Sequence, residues 1–487
     1  MSKHELIKNW INGEWVGAAR SAKNVNPATE EAIGEVVVSG REEAQAAIAA
    51  AKAAFPGWKR TPAPKRGSIL LKAALEMTRR KDELALALCL EEGKTVGEAG
   101  GEIQRAINVI EFMSGEGRRL NGETVPSELP STYCYTQREP LGVVALVTPW
   151  NFPVAIPVWK LAPALVAGNT VVLKPASLTP WCARIIAEIF DTAGLPKGVF
   201  NVVFGPGSTV GDTLVSHPDV AAISFTGSNE IGTALYTQGA SHGKKVQCEM
   251  GGKNPIIVLE DADLELAATA TVQGAFGSTG QRCTATSRAI VVKQVAAEYT
   301  RLVVEKTRAL KVGDGTKPET NVGPCVDRGQ FNTVMEYIEI GKREATLACG
   351  GERVGSAGFF VAPTVFTGVK REHRIAQEEI FGPVLSVIEV ADFDEAIEAA
   401  NDCRYGLTSS IFTRDVARVF QYNERIETGI THVNSPTVGG EAHMPFGGLK
   451  ATGVGGREMG KTAIEFFTEW KSIYVDYTGQ KRTTNIY

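Results

Sequence analysis

Between residues 141 and 228 four short runs follow one another: LGVVALVTPW, NTVVLKP, GVFNVVFGPG and VAAISFTGS. Each is dense in β-branched and apolar residues, and each stops at Gly, Pro, Thr or Ser. A strand with one wet face alternates apolar and polar residues, whereas a continuous apolar run has both faces covered. Helical stretches such as PWCARIIAEIFDTAG lie between the runs. Strands buried on both faces and separated by helices need helices on both sides of one sheet. That is a doubly wound, mostly parallel α/β architecture.

The same texture returns further along. NPIIVLE, SRAIVVK, APTVFTGV, GPVLSVIEV and TSSIFTR are strand candidates, with helices expected over 262–275, 295–309 and 393–402. They predict a second α/β unit from roughly 252 to 450. Residues 42–118 read as helices from their apolar spacing, punctuated by Pro62 and Pro64. Two pieces rich in Tyr and Thr, STYCYTQREPLG and EWKSIYVDYTG, fit neither unit. They are expected to pair with each other or to extend a neighbouring subunit's sheet.

At 487 residues the chain has room for more than one domain. Its net charge of −4 gives no general attraction to nucleic acid or to an anionic membrane, and no basic tract supplies a local one. No stretch approaches twenty uninterrupted apolar residues, and the N-terminal MSKHELIKNWINGEW lacks the apolar region of a signal peptide. A cytoplasmic protein with neither nucleic-acid nor membrane partners is expected. The eight cysteines form no CxxC pair, which argues for free thiols. The six histidines show no ligand spacing, so no metal site is expected.

Several residues are candidates for chemistry. Gly205, Gly207 and Gly211 follow the run VFNVVF, where a glycine-rich turn lets backbone N–H groups approach a phosphate. The spacing is one residue longer than the usual dinucleotide fingerprint, and a plain glycine turn explains it equally well. FTGSNEIG is a second strand-to-helix turn, with Ser228 placed to cap the helix or meet a phosphate. Lys174 closes a third strand and suits a ribose hydroxyl or phosphate; the plainer reading is a solvated surface lysine. A carboxylate beside an adenosine ribose repels a 2′-phosphate, but position 177 is Ser, so NADP is favoured over NAD. In FGSTGQRCTATSR the lone Cys283 has an arginine directly before it and another five residues after it. By itself it reads as a structural thiol, a disulfide half, a metal ligand or a nucleophile.

TPWNFPVAIPVWKLAPALVAGNTVVLKPA, FTGS, EMGGKNP, FGSTGQRC, EEIFGP and MPFGG occur in this order. The set resembles the aldehyde dehydrogenase superfamily, from NVNPATEE to GREMG. The resemblance implies a Rossmann-type cofactor domain over 1–122 and 143–251 and an α/β catalytic domain over 252–450. It also implies a small β oligomerisation element over 123–142 and 466–487, in a homodimer or homotetramer. Cys283 would be the nucleophile. An aldehyde carbon loses hydride poorly until a thiolate adds and leaves an alkoxide to expel it; the resulting thioester is then hydrolysed. Asn151, with the backbone N–H of Cys283, would hold that alkoxide. Glu249 would be the general base for hydrolysis, and Glu458 part of a proton relay. Glu379 and Phe381 would clamp the nicotinamide ribose, with Trp150, Lys174, Ser177, Gly207, Gly211, Phe225, Gly227 and Ser228 completing an NADP or NAD site.

Phe152, Trp159 and Phe446 are expected to line the substrate tunnel with segment 434–446. Arg282 would face a substrate carboxylate or form a salt bridge within the protein. The motif set implies α-ketoglutaric semialdehyde (2,5-dioxopentanoate) as the aldehyde. Benzaldehyde- or vanillin-type aldehydes and succinic semialdehyde are the alternatives. The 152–165 stretch carries no second arginine, where some semialdehyde-oxidising relatives have one.

Overall fold

The computed structural model describes residues 5–480. Two large sheets organise it. The first has eight strands in the order Gly453–Val454, Lys245–Glu249, Val220–Thr226, Val143–Val147, Thr170–Lys174, Phe200–Val202, Asn9–Ile11 and Glu14–Val16. The five central strands are parallel. From Val143–Val147 the chain winds outward through 170–174 and 200–202, then returns to the other side for 220–226 and 245–249. The winding therefore reverses beside Val143–Val147, and the strand carboxyl ends open a crevice there. The apolar runs form these strands because both faces are covered: Val143–Leu146 and Thr170–Lys174 are buried throughout.

Helix Ala155–Ala167 is buried at every position. It packs against helix Val96–Glu116, which explains why it is apolar all round instead of along one stripe. Its end is fixed by Gly168 at φ 104°.

The second sheet has seven strands, in the order Thr346–Cys349, Thr364–Thr367, Val384–Val390, Thr286–Val292, Asn254–Val258, Thr408–Phe412 and Ile430–Val433. All neighbours are parallel except the first pair. The expected helices appear as Leu264–Phe276, Lys293–Arg308 and Phe393–Asn401. Helices Arg328–Glu344 and Val416–Arg425 and strand Ile430–Val433 were not anticipated.

The two Tyr/Thr-rich pieces pair with each other. Thr132–Pro140 and Thr468–Asp476 form a nine-residue antiparallel ladder, flanked by Thr124–Val125. Tyr133, Trp470 and Tyr474 are exposed on it. Residues 481–487 of the expected oligomerisation element lie outside the described residues. After residue 450 the chain returns to the first sheet, where Gly453–Val454 pairs with Cys248 and Glu249. That short strand carries the MPFGG and GREMG segments to the heart of the molecule. No helix among the described residues is long and apolar enough to cross a membrane.

Candidate active site

Cys283 stands on a tight turn between helix Leu264–Phe276 and strand Thr286–Val292. Ser278 and Thr279 take left-handed backbone angles, φ 48° and 57°, and Gly280 follows at φ 68°. A Cβ at Gly280 would run into the carbonyl of Gly382, so only glycine closes the turn. Gln281 ties it down, its Oε1 accepting from the Val326 amide at 2.9 Å. The Cys283 carbonyl accepts from Asn254 Nδ2 at 2.8 Å. The thiol borders a cavity of about 830 Å³. Burial, reinforced by the charges of Glu379 and Glu249, pushes it up to about 12, and Arg105 acts in the opposite direction. In the protein alone it is therefore a thiol at neutral pH.

Asn151 is buried, and its Nδ2 donates to the Gln281 carbonyl at 3.0 Å. Its amide thus points at the turn that carries Cys283. Glu249 ends strand Lys245–Glu249, and its Oε2 has no hydrogen-bond partner. The carboxyl fills a slot that glycine leaves open: a Cβ at Gly447 would collide with it. Burial, and then the charge of Glu458, hold its pKa well above the usual carboxylate range. Glu458 is ion-paired with Lys160, which also donates to Ser224 Oγ at 2.8 Å.

The cofactor candidates gather at the strand carboxyl ends. Trp150 and Phe381 meet edge to face, centroids 5.4 Å apart. Glu379 Oε1 accepts from the Gly252 amide at 3.0 Å, and burial raises its carboxyl to about 7. Lys174 is only 8% exposed, which removes the reading of a surface lysine. Its Nζ donates to the neighbouring Pro175 carbonyl at 3.1 Å, and burial lowers it to about 8. Ser177 is exposed just beyond it. Gly207–Gly211 is a wide helical turn after strand Phe200–Val202, and a Cβ at Gly207 or Gly211 would meet nothing within 4 Å. Ser228 caps helix Asn229–Ser241, its Oγ accepting from the Ile231 amide. Phe225 lies at the carboxyl end of strand Val220–Thr226. Its side chain points into the core beneath Gly227 and supports the turn from below, because it falls on the inward-facing side of its strand. A buried amine with no acidic partner among the described residues, set beside open backbone at a switch point, fits the phosphates and ribose of a dinucleotide.

The cavity beside Cys283 is walled by Phe152, Trp159 and Phe446, the last two with ring centroids 5.3 Å apart. Arg282 reaches Ser278 Oγ at 2.9 Å and Glu98 Oε1 at 3.4 Å. Glu98 is already engaged by the Ser278 and Thr95 amides, so this salt bridge is a partial one. The buried Nε of Arg282 has no partner. A second guanidinium lies on the same wall. Arg105 donates to the Gly440 carbonyl at 2.9 Å and lies 5.5 Å from the Trp159 ring. It has no carboxylate partner among the described residues, and its Nε is likewise unpartnered.

Residues 15–473 match the family model described as the aldehyde dehydrogenase family. The chain belongs to this family. It is 46% identical over 474 residues to 2,5-dioxopentanoate dehydrogenase of Saccharolobus solfataricus, covering 96% of this chain and 98% of that one. It is 46% identical over 480 residues to alpha-ketoglutarate semialdehyde dehydrogenase of Haloferax volcanii, covering 96% and 99%. Among solved structures, an NADP dependent enzyme of E. coli superposes with a TM-score of 0.94 at 38% identity, covering 96% of this chain and 98% of that one.

In this aldehyde dehydrogenase the nicotinamide cofactor, when bound, accepts the hydride of the aldehyde. The first sheet meets the second at Cys283, with Asn151 and Glu249 supplied by the first and the thiol by the turn before Thr286–Val292. Arg105 is the residue that the sequence reading missed. It sits on helix Val96–Glu116, far in sequence from every recognised motif, and its spacing is that of a solvated helix face. Lys94, Glu102 and Lys160 were missed because each is a charged residue that only the fold shows to be buried.

Proposed function

We propose that this aldehyde dehydrogenase oxidises α-ketoglutaric semialdehyde to α-ketoglutarate. The observation that carries the reading is the pair of guanidiniums, Arg105 and Arg282, each with a buried unpartnered Nε on the cavity wall beside Cys283. Two under-satisfied cations in one cavity call for an anionic end on the substrate. The names of the two relatives above support the same substrate. An uncharged aromatic aldehyde would leave Arg105 without an acid and Arg282 with only its 3.4 Å contact to Glu98.

In this mechanism the substrate carboxylate is held by Arg105 and Arg282 while its aldehyde carbon meets Cys283. The thiol releases its proton to solvent in the cavity as the sulfur bonds to the carbonyl carbon, and the alkoxide oxygen takes hydrogen bonds from Asn151 Nδ2 and the Cys283 amide. One Nδ2 hydrogen stays on the Gln281 carbonyl and the second is left for the alkoxide. One such donor contributes roughly 3–4 kcal/mol to the transition state. After hydride departure, Glu249 takes a proton from the water that attacks the thioester. Lys160 and Glu458 lead that proton away. Lys174 would hold the adenosine ribose or phosphate, Glu379 and Phe381 the nicotinamide ribose, and Ser177 would admit the 2′-phosphate of NADP. The cofactor and catalytic units take the boundaries given above. The ladder of 132–140 and 468–476 serves a homodimer or homotetramer, and the enzyme works in the cytoplasm.

The test is kcat/KM for α-ketoglutaric semialdehyde, succinic semialdehyde and benzaldehyde, each with NADP and NAD. Highest values with the five-carbon acid and NADP are expected. A preference for benzaldehyde refutes the proposal. A preference for succinic semialdehyde keeps the acid pocket and corrects the chain length.

A further inference from the structure

Behind Asn151 lies a buried ion pair that none of the roles above uses. Lys94 follows helix Lys81–Glu92, and Glu102 belongs to helix Val96–Glu116. Lys94 is 1% exposed and Glu102 3%. Lys94 Nζ donates to Glu102 Oε2 at 2.7 Å and to the main-chain carbonyl of Asn151 at 2.7 Å. It also lies 4.0 Å from the centroid of the Phe152 ring. The other oxygen of Glu102 accepts from the amides of Val154 at 2.9 Å and Ala155 at 3.0 Å, where helix Ala155–Ala167 begins.

The segment 151–155 is thus gripped at both ends, its first carbonyl by a cation and its last amides by the anion paired with that cation. Burial alone would discharge Lys94, but the charge and hydrogen bond of Glu102 oppose it and its pKa is raised, so the amine is charged at neutral pH. Dehydrating two ions is costly, and a hydrophobic pair would often be as stable. What the ion pair adds is direction: it fixes one carbonyl and two amides within a segment that has no regular secondary structure before Ala155.

We propose that Lys94 and Glu102 are positioning residues, which hold the Asn151 amide aimed at the oxygen that becomes an alkoxide on Cys283. This rests on the reading of Asn151 as the oxyanion donor. Neither residue touches the reacting atoms in this account. They act through the Asn151 main chain, where a displacement of about 1 Å can cost roughly 10²-fold in rate.

The test is single-turnover formation of reduced cofactor, per active site titrated by alkylation of Cys283. Variants are Lys94→Met, Glu102→Gln, Asn151→Ala and Lys94→Met with Asn151→Ala. Asn151→Ala should lose about 10²–10³-fold. Lys94→Met and Glu102→Gln should each lose about 10–100-fold, with aldehyde KM and cofactor Kd within about 3-fold of wild type. In the Asn151→Ala background Lys94→Met should cost less than about 3-fold more, because the same interaction is already gone. Full additivity, or a wild-type rate per titrated site in the folded variants, overturns the proposal and leaves the pair a structural one. If Lys94→Met does not fold, Glu102→Gln carries the same test alone and in the Asn151→Ala background. If Asn151→Ala itself turns over at the wild-type rate, the oxyanion reading falls and the proposal with it.

Discussion

Two pairs of cations flank the candidate site, one buried and one on the cavity wall. Lys94 and Lys160 are buried, and each is ion-paired with a glutamate, Glu102 or Glu458. Arg105 and Arg282 sit on the cavity wall. One has no acid within reach among the described residues, and the other has a partial contact at 3.4 Å. A buried cation is costly unless its hydrogen bonds are met, by a glutamate as for Lys94 and Lys160 or by main-chain carbonyls as for Arg288. In the proposed function, Arg105 and Arg282 keep donors for a group that arrives from outside. The contrast separates residues that shape the site from residues that read the substrate.

The largest expected effect breaks the paired set. Lys160→Met leaves Glu458 buried without its cation, and should lower unfolding free energy by about 3–5 kcal/mol. Arg105→Met strands no acid and should cost roughly 1 kcal/mol or less. Urea denaturation of both variants measures the difference, and equal losses would erase the distinction between the two sets.

The next effect concerns the thiol that both sets surround. With its pKa pushed up to about 12, Cys283 should react slowly with iodoacetamide at pH 7 in the cofactor-free enzyme. The rate should climb close to tenfold per pH unit up to at least pH 10. A plateau near pH 8 would show that Cys283 is an ordinary thiolate already.

A smaller effect is on stability against pH. Burial raises the carboxyls of Glu91 and Glu92 to about 8 and that of Glu379 to about 7. At these three carboxyls the folded state therefore holds more protons than the unfolded chain from pH 4.5 upward, to about 7 for Glu379 and about 8 for Glu91 and Glu92. These three groups should make stability fall as pH rises through that window. Thermal unfolding of wild type against Glu91→Gln and Glu92→Gln reads it: the variants should lose part of the decline. An unchanged slope would place the protons elsewhere.

The smallest concerns the cofactor. Ser177→Glu should weaken NADP binding about tenfold relative to NAD, measured by fluorescence titration, since it sets a carboxylate against a 2′-phosphate at the exposed edge of the crevice. Equal affinities would remove Ser177 from the choice.

The comparison also explains what the sequence could show. The cofactor side was legible because its strands are unbroken apolar runs and its turns follow them directly. Cys283, Asn151 and Glu249 came from motifs in family order, and the fold brings all three segments around the same centre. The substrate side was only half legible. Arg282 adjoins the nucleophile and was visible, whereas Arg105 reaches the cavity from helix Val96–Glu116. Nothing in GEIQRAINVIEF tells a cavity-facing arginine from a solvated one. Lys94 and Glu102 are hidden likewise, since burial of a charge is a property of packing and not of spacing. Gly453–Val454 escaped because two residues carry no periodicity, and Ile430–Val433 because it is a half-exposed sheet edge.

The central claim is that Arg105 and Arg282 hold a substrate carboxylate. The most direct measurement is kcat/KM for α-ketoglutaric semialdehyde and for uncharged pentanal, on wild type, Arg105→Ala, Arg282→Ala and the double variant. Each charged hydrogen bond is worth about 1.5–3 kcal/mol, so each single variant should lose about 10–100-fold on the acid and the double variant more. Pentanal oxidation should change by less than about 3-fold in the same variants. Equal losses on both aldehydes would contradict the account and make the arginines part of the scaffold after all.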